Sequence, residues 1–119
     1  MFPYEKLEVY KKAYSTNQKV YRHLKGNKNI PAYFRDQLGR ATLSIMLNIA
    51  EGSAKFSERD RRNFYVTARG SAFECACLAT FLHQEGELPE EIFTEINTAY
   101  EEISRMLYTM IKNLEETTQ

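Results

Sequence analysis

Between Arg40 and Ser53 the chain reads RATLSIMLNIAEGS, a helical run that is apolar on nearly every side. At 3.6 residues per turn, Arg40, Ser44, Asn48 and Glu51 fall within a sector about 80° wide, while every other position from Ala41 to Ala50 is apolar or Thr. Such a helix has almost no solvent face. It must be packed on several sides, and its polar stripe needs specific partners, because buried polar groups without them are costly.

Partners are available in three further amphipathic segments, separated by short breakers. The first runs from about Tyr4 to Lys25, with Leu7, Tyr10, Ala13, Tyr14, Val20, Tyr21 and Leu24 on one side, and GNKNIP (26–31) turns the chain. The second, carrying the striped run, starts near Pro31 or Tyr33 and ends at Gly52 and Ser53. Ser57 and Asp60 resemble a capping box that opens a third helix to about Gln84, and Gly86 closes it. Pro89, Glu90 and Glu91 start the fourth, whose seam positions Ile92, Ile96, Ala99 or Tyr100, Ile103, Met106, Met110 and Asn113 or Leu114 step by fours and threes. No strand pattern competes. The prediction is an all-α fold, an antiparallel up-down-up-down four-helix bundle forming one domain over residues 1–119.

Net charge is zero, but its distribution is not even. Residues 1–70 carry fourteen Lys/Arg against six Asp/Glu, and residues 71–119 carry two against ten, so the two parts stand at +8 and −8. A zero total argues against indiscriminate nucleic-acid binding, yet a basic face can still meet phosphates locally, or the acidic face of another copy. The longest uncharged stretch, Ala41–Ala50, is half of the ~20 residues a membrane span needs. No signal segment is evident, so the expected location is cytoplasmic, with no membrane role. Cys75 and Cys77 point about 160° apart on a helix, so they neither pair locally nor clasp one metal, and both are read as reduced, partly buried thiols.

Searching for chemistry leaves catalysis without a basis. Neither His23 nor His83 completes a Glu-x-x-His pair of the di-iron type, and neither lies near a nucleophile in sequence, so both are read as helix-surface side chains. The carboxylates Glu90, Glu91, Glu95, Glu101 and Glu102 lack a second acidic helix to converge with, and are read as a solvated face. No catalytic residue, metal ligand or cofactor is expected.

What remains is surface and packing. Lys11, Lys12 and Lys19 of the first helix, with Lys55, Arg59, Arg61 and Arg62 at the start of the third, are candidate phosphate contacts. Arg40, Ser44, Asn48 and Glu51 should meet Arg69, Ser71 and Glu74 of ARGSAFE (68–74) in a structural network, with Glu51 paired to Arg69, Arg40 to Glu74, and Asn48 and Ser44 satisfying helix ends or tyrosine hydroxyls. Leu43, Met46, Leu47 and Ala50 exceed what one core can bury and are a candidate oligomer interface.

The segments LEVYKKAY (7–14), QLGRATLSIMLNIAEGSAK (37–55), FYVTARGSAFE (64–74) and EEISRMLYTMIKNL (101–114) together resemble the four-helix bundle family named for the 23S rRNA intervening sequence. Its most specific element is SI-x-x-NIAEG followed by A-x-GS-x-x-E. The chain departs from the family pattern at Met46-Leu47, where small residues or Pro-Ala are usual, and at Cys75, where an aliphatic is common. The resemblance implies a cytoplasmic bacterial protein of unestablished activity that forms a ring-like homopentamer. A related branch accompanies the reverse transcriptases of diversity-generating retroelements and presents a basic surface to nucleic acid. The expected function is a non-enzymatic oligomeric bundle binding RNA or DNA phosphates. The rivals are a protein-binding scaffold without a nucleic-acid role, and a Mg²⁺-dependent nuclease or nucleotide hydrolase built on the fourth helix.

Overall fold

The computed structural model describes residues 1–118, with side chains through Glu115. A 3₁₀ turn at Pro3–Lys6 precedes four helices: α1 (Glu8–Leu24), α2 (Ala32–Ser53), α3 (Glu58–Gln84) and α4 (Glu90–Thr118). Each helix packs against its sequence neighbours and α4 closes back on α1, which is the antiparallel up-down-up-down order. The bundle measures 48 × 26 × 22 Å. It is the expected four-helix bundle.

The helix ends follow local chemistry. Gly26 and Gly86 take the left-handed conformation, at φ 69° and 79°, that lets α1 and α3 stop and reverse. Past α3, the Glu87 N–H reaches back to the Leu82 carbonyl at 2.8 Å, closing the last turn. Ser57 caps α3, its Oγ accepting from the Asp60 N–H at 3.0 Å. At the other extreme the expectation of one helix from Tyr4 fails. Leu7 is extended (φ −77°, ψ 126°), so the 3₁₀ turn folds against α2 and Leu7 packs on the core.

All four helices feed one core. From α1 come Val9, Ala13, Val20 and Leu24; from α2, Leu38, Ala41, Ile45 and Ile49; from α3, Tyr65, Ala68, Ala72, Cys75, Ala79 and Leu82. The small residues of α3 let α2 and α4 approach closely. The α4 seam is Ile96, Tyr100, Ile103, Leu107 and Ile111, one residue off the expected register after Ile103. Met106 and Met110 are only half-buried, because the seam steps by fours after Ile103 and passes one position C-terminal to each of them.

A hydrogen bond crosses the core diagonally, from the Tyr100 hydroxyl to Thr42 Oγ1 at 3.1 Å. Burial raises the Tyr100 pKa well above 10.0, so the hydroxyl remains a neutral donor. Beside it, burial pushes the Cys75 thiol up to about 12, leaving it unreactive at neutral pH. Cys75 is buried as expected, but Cys77 is exposed, since its side chain points away from the core that holds Cys75.

Charge sorts the helices as well. Lys12 pairs with Glu102, and Lys19 with Glu95 at 2.5 Å, tying α1 to α4; Arg62 pairs with Glu115 at 2.7 Å, tying α3 to α4. The acidic face of α4 is therefore not merely solvated, and part of the +8/−8 asymmetry is spent within the chain. Hydrogen bonds from Lys12 and Arg62 hold the Glu102 and Glu115 carboxyls below their ordinary 4.5. A carboxyl depressed in the folded state takes up protons more readily when unfolded, so its stabilisation is complete above pH 4.5 and lost as pH falls through the depressed value. Tm should hold steady from neutral pH to about 5 and then drop, and circular dichroism melts of a Glu102→Gln/Glu115→Gln variant should show a shallower acid limb. Identical acid limbs would exclude these pairs as its source.

Candidate nucleic-acid and assembly surfaces

The polar stripe of α2 finds partners in α3, though fewer than expected. Ser44 Oγ lies 2.9 Å from Ser71 Oγ, and Asn48 Nδ2 donates to the Ser44 carbonyl at 2.8 Å and to Ser44 Oγ at 3.0 Å. This is a compact three-residue network between the helices. The two predicted ion pairs do not form: Arg40 and Glu51 stay exposed, and Glu74 accepts instead from Gln37 Nε2. Arg69 is absent from the network for a geometric reason. Two residues before Ser71, it lies about 160° around α3, so when Ser71 faces α2 the arginine faces α4. There its guanidinium sits over the rings of Phe73 at 4.7 Å and Tyr108 at 5.4 Å.

The candidate phosphate contacts do not form one surface. Lys12, Lys19 and Arg62 are engaged by α4 carboxylates, and Lys11 pairs with Glu8 at 3.2 Å. Arg61 is half-buried and donates from Nη2 to the Lys55 carbonyl at 2.8 Å, bracing the α2–α3 turn. Lys55 Nζ lies 4.9 Å from the centre of the Phe64 ring, and Arg59 is exposed. Lys55, Arg59 and the outer edge of Arg61 thus form a basic end, tempered by Glu58 and Asp60 on the same first turn of α3.

Two features escaped the sequence reading. At the opposite end, Arg22, Lys25 and Lys28 are exposed around the α1–α2 turn, with Arg35 Nη1 donating to the Asn27 carbonyl at 2.9 Å. The RHLKGNK run signals this cluster, once the loop is recognised as a bundle end. Along the α3–α4 seam lies a groove of about 690 Å³, lined by Arg69, Phe73, Ser104, Arg105 and Tyr108. Arg69 and Tyr108 lie on different helices, and nothing in their local sequences pairs them.

His83 is more engaged than a solvated histidine. Its ring stacks on Phe93 at 4.2 Å, Nε2 lies 2.9 Å from a Glu90 carboxylate oxygen and Nδ1 lies 3.2 Å from the Leu88 carbonyl. Among the described residues, no three His, Cys, Asp or Glu side chains gather to hold a metal ion. No described helix is long and apolar enough to cross a membrane.

The candidate interface on α2 faces outward in part. Leu43 and Leu47 are 41% and 46% exposed, while Met46 and Ala50 are half-buried beside them. In a helix whose other faces meet α1 and α3, these leucines are the apolar remainder.

Fold and surfaces together define an all-helical bundle protein whose distinguishing groups lie on its exterior and in one inter-helix network. The sequence profile of the 23S rRNA-intervening sequence protein family matches residues 5–109, and the chain belongs to that family. In fold it is similar to a crystal structure from Bacteroides thetaiotaomicron of a protein with unknown function from the S23 ribosomal protein family. The TM-score is 0.83 at 24% identity, covering 87% of this chain and 98% of the other. No curated protein matches the chain.

Proposed function

We propose that the protein is a non-enzymatic, oligomeric four-helix bundle of the cytoplasm that contacts RNA or DNA phosphates through its basic end. The observation that carries the nucleic-acid part is the placement of Lys55 and Arg59 at the α2–α3 end, outside the ion pairs that α4 makes with Lys12, Lys19 and Arg62. The similarity to proteins whose family name refers to a 23S rRNA element supports the same reading. Oligomerisation, a pentameric ring by resemblance, would cover Leu43 and Leu47 and repeat the basic end around an axis, so that weak phosphate contacts add.

Filter binding of structured RNA across a salt series tests the proposal. The logarithm of the affinity should fall linearly with the logarithm of salt, each phosphate contact adding roughly 0.7–0.9 to the slope. A Lys55→Ala/Arg59→Ala variant should bind more weakly, with a slope reduced by about 1–2. Absence of salt-sensitive binding at low ionic strength would leave the protein-scaffold reading, and Mg²⁺-dependent cleavage of the RNA would reverse the non-enzymatic one.

A further inference from the structure

The α3–α4 groove combines features that the basic end lacks. α4 supplies carboxylates to Lys12, Lys19 and Arg62, yet Arg69, seven residues along the same face of α3 from Arg62, joins none of these ion pairs. Tyr108 stands where that carboxylate would be, seven residues before Glu115. The Arg69 Nε is buried without a hydrogen-bond partner. Its guanidinium is held in place by ring faces, which orient a charge without neutralising it. Those same rings remain open to solvent, Phe73 at 56% and Tyr108 at 51% exposed.

We propose that this groove takes an unpaired nucleotide of a single strand, its base stacked on Phe73 and Tyr108 and its phosphate on the Arg69 guanidinium. The inference rests on the nucleic-acid reading above and deepens it by naming single-stranded segments as the preferred ligand. A volume of about 690 Å³ suits one small ligand body, and a base locked in a duplex has no free face to offer the rings. Aromatic stacking beside a cationic side chain is the general means by which proteins hold single strands without reading sequence. Charge sets the direction of the bound nucleotide. Glu101, 3.9 Å from Arg105, repels phosphate at that end of the groove and leaves Arg69 as the anion contact. The Ser104 hydroxyl lines the floor between them.

The chain has no tryptophan, so Phe73→Trp places a lone fluorophore in the groove. The full-length variant is titrated with short oligouridine and oligoadenine single strands and with a duplex of the same length, at low salt. Single strands should quench the tryptophan at saturation and the duplex should not. In filter binding, Phe73→Ala/Tyr108→Ala should weaken single-strand binding about fivefold to 150-fold with duplex binding unchanged, and Arg69→Gln should weaken it with a reduced salt slope. Both replaced rings are half-exposed, so the variants should retain the wild-type melt and the wild-type mass by light scattering. If single strands and duplex bind alike without quenching, the groove proposal fails and the phosphate reading survives. If no nucleic acid binds, both fail. A change of mass in the variants would identify the groove as a contact between copies and overturn the proposal.

Discussion

Tyr100→Ala is expected to destabilise the bundle by about 3–5 kcal/mol, a loss of roughly 10–25 °C in Tm for a chain of this size. Tyr100 is the largest of the fully buried side chains, 1% exposed, and stands in the α4 seam between Ile96 and Ile103. Removing its ring leaves a cavity that three other helices cannot close without losing their own contacts. Tyr100→Phe separates packing from polarity. It keeps the ring and deletes only the hydrogen bond to Thr42, so about 1 kcal/mol is expected, and Thr42→Val in the same background should recover part of it. Thermal melts followed by circular dichroism read all three; equal losses for the Ala and Phe variants would mean that the hydroxyl, not the ring, dominates.

Gly52→Ala is expected to destabilise by about 1–3 kcal/mol, against the usual sense of that substitution in a helix. A Cβ at Gly52 would stand 2.7 Å from Tyr65 Cε1 and 3.1 Å from Phe64 Cβ. Tyr65 is itself 3% exposed, so its ring has nowhere to retreat. The end of α2 and the start of α3 are pressed together at this point, and only hydrogen fits. Gly39, earlier on α2, is the internal control. A Cβ there meets nothing within 4 Å, so Gly39→Ala should stabilise by about 0.5–1 kcal/mol. Two Gly→Ala changes in one helix with opposite signs are the expected pair of results in urea titrations. Stabilisation by both would show that the contact at Gly52 relaxes freely.

The helices, their order and most of the core were legible because they depend on local periodicity. Leu38, Ala41, Ile45 and Ile49 repeat at helical spacing whatever they pack against, and Ser57 and Gly86 announce helix ends by their own chemistry. The extended backbone at Leu7 was not legible, because docking of the 3₁₀ turn against α2 overrides the helical pattern of its flanks. Candidate site residues divide the same way. Ser44, Asn48 and Ser71 were legible as members of one network from their polar stripes, but not as partners of one another, since stripe position alone left helix ends and tyrosine hydroxyls as the expected partners of Ser44 and Asn48. The partners of Arg69 could not, since pairing it with Glu51 ignored that Ser71 and Arg69 point to opposite sides of α3. Charge was read as a property of the two parts of the sequence, whereas folding brings α1 and α4 side by side and consumes Lys12 and Lys19 within the chain.

That internal pairing shifts the weight of assembly from charge to the apolar face of α2, where Leu43 and Leu47 are the exposed side chains a partner would cover. The mass of the wild-type protein at micromolar concentration, by light scattering at neutral pH, tests this most directly. The prediction is a single species at a multiple of 13.9 kDa, five-fold for a closed pentameric ring, insensitive to moderate salt because its contacts are apolar. A species of 13.9 kDa under these conditions would contradict it.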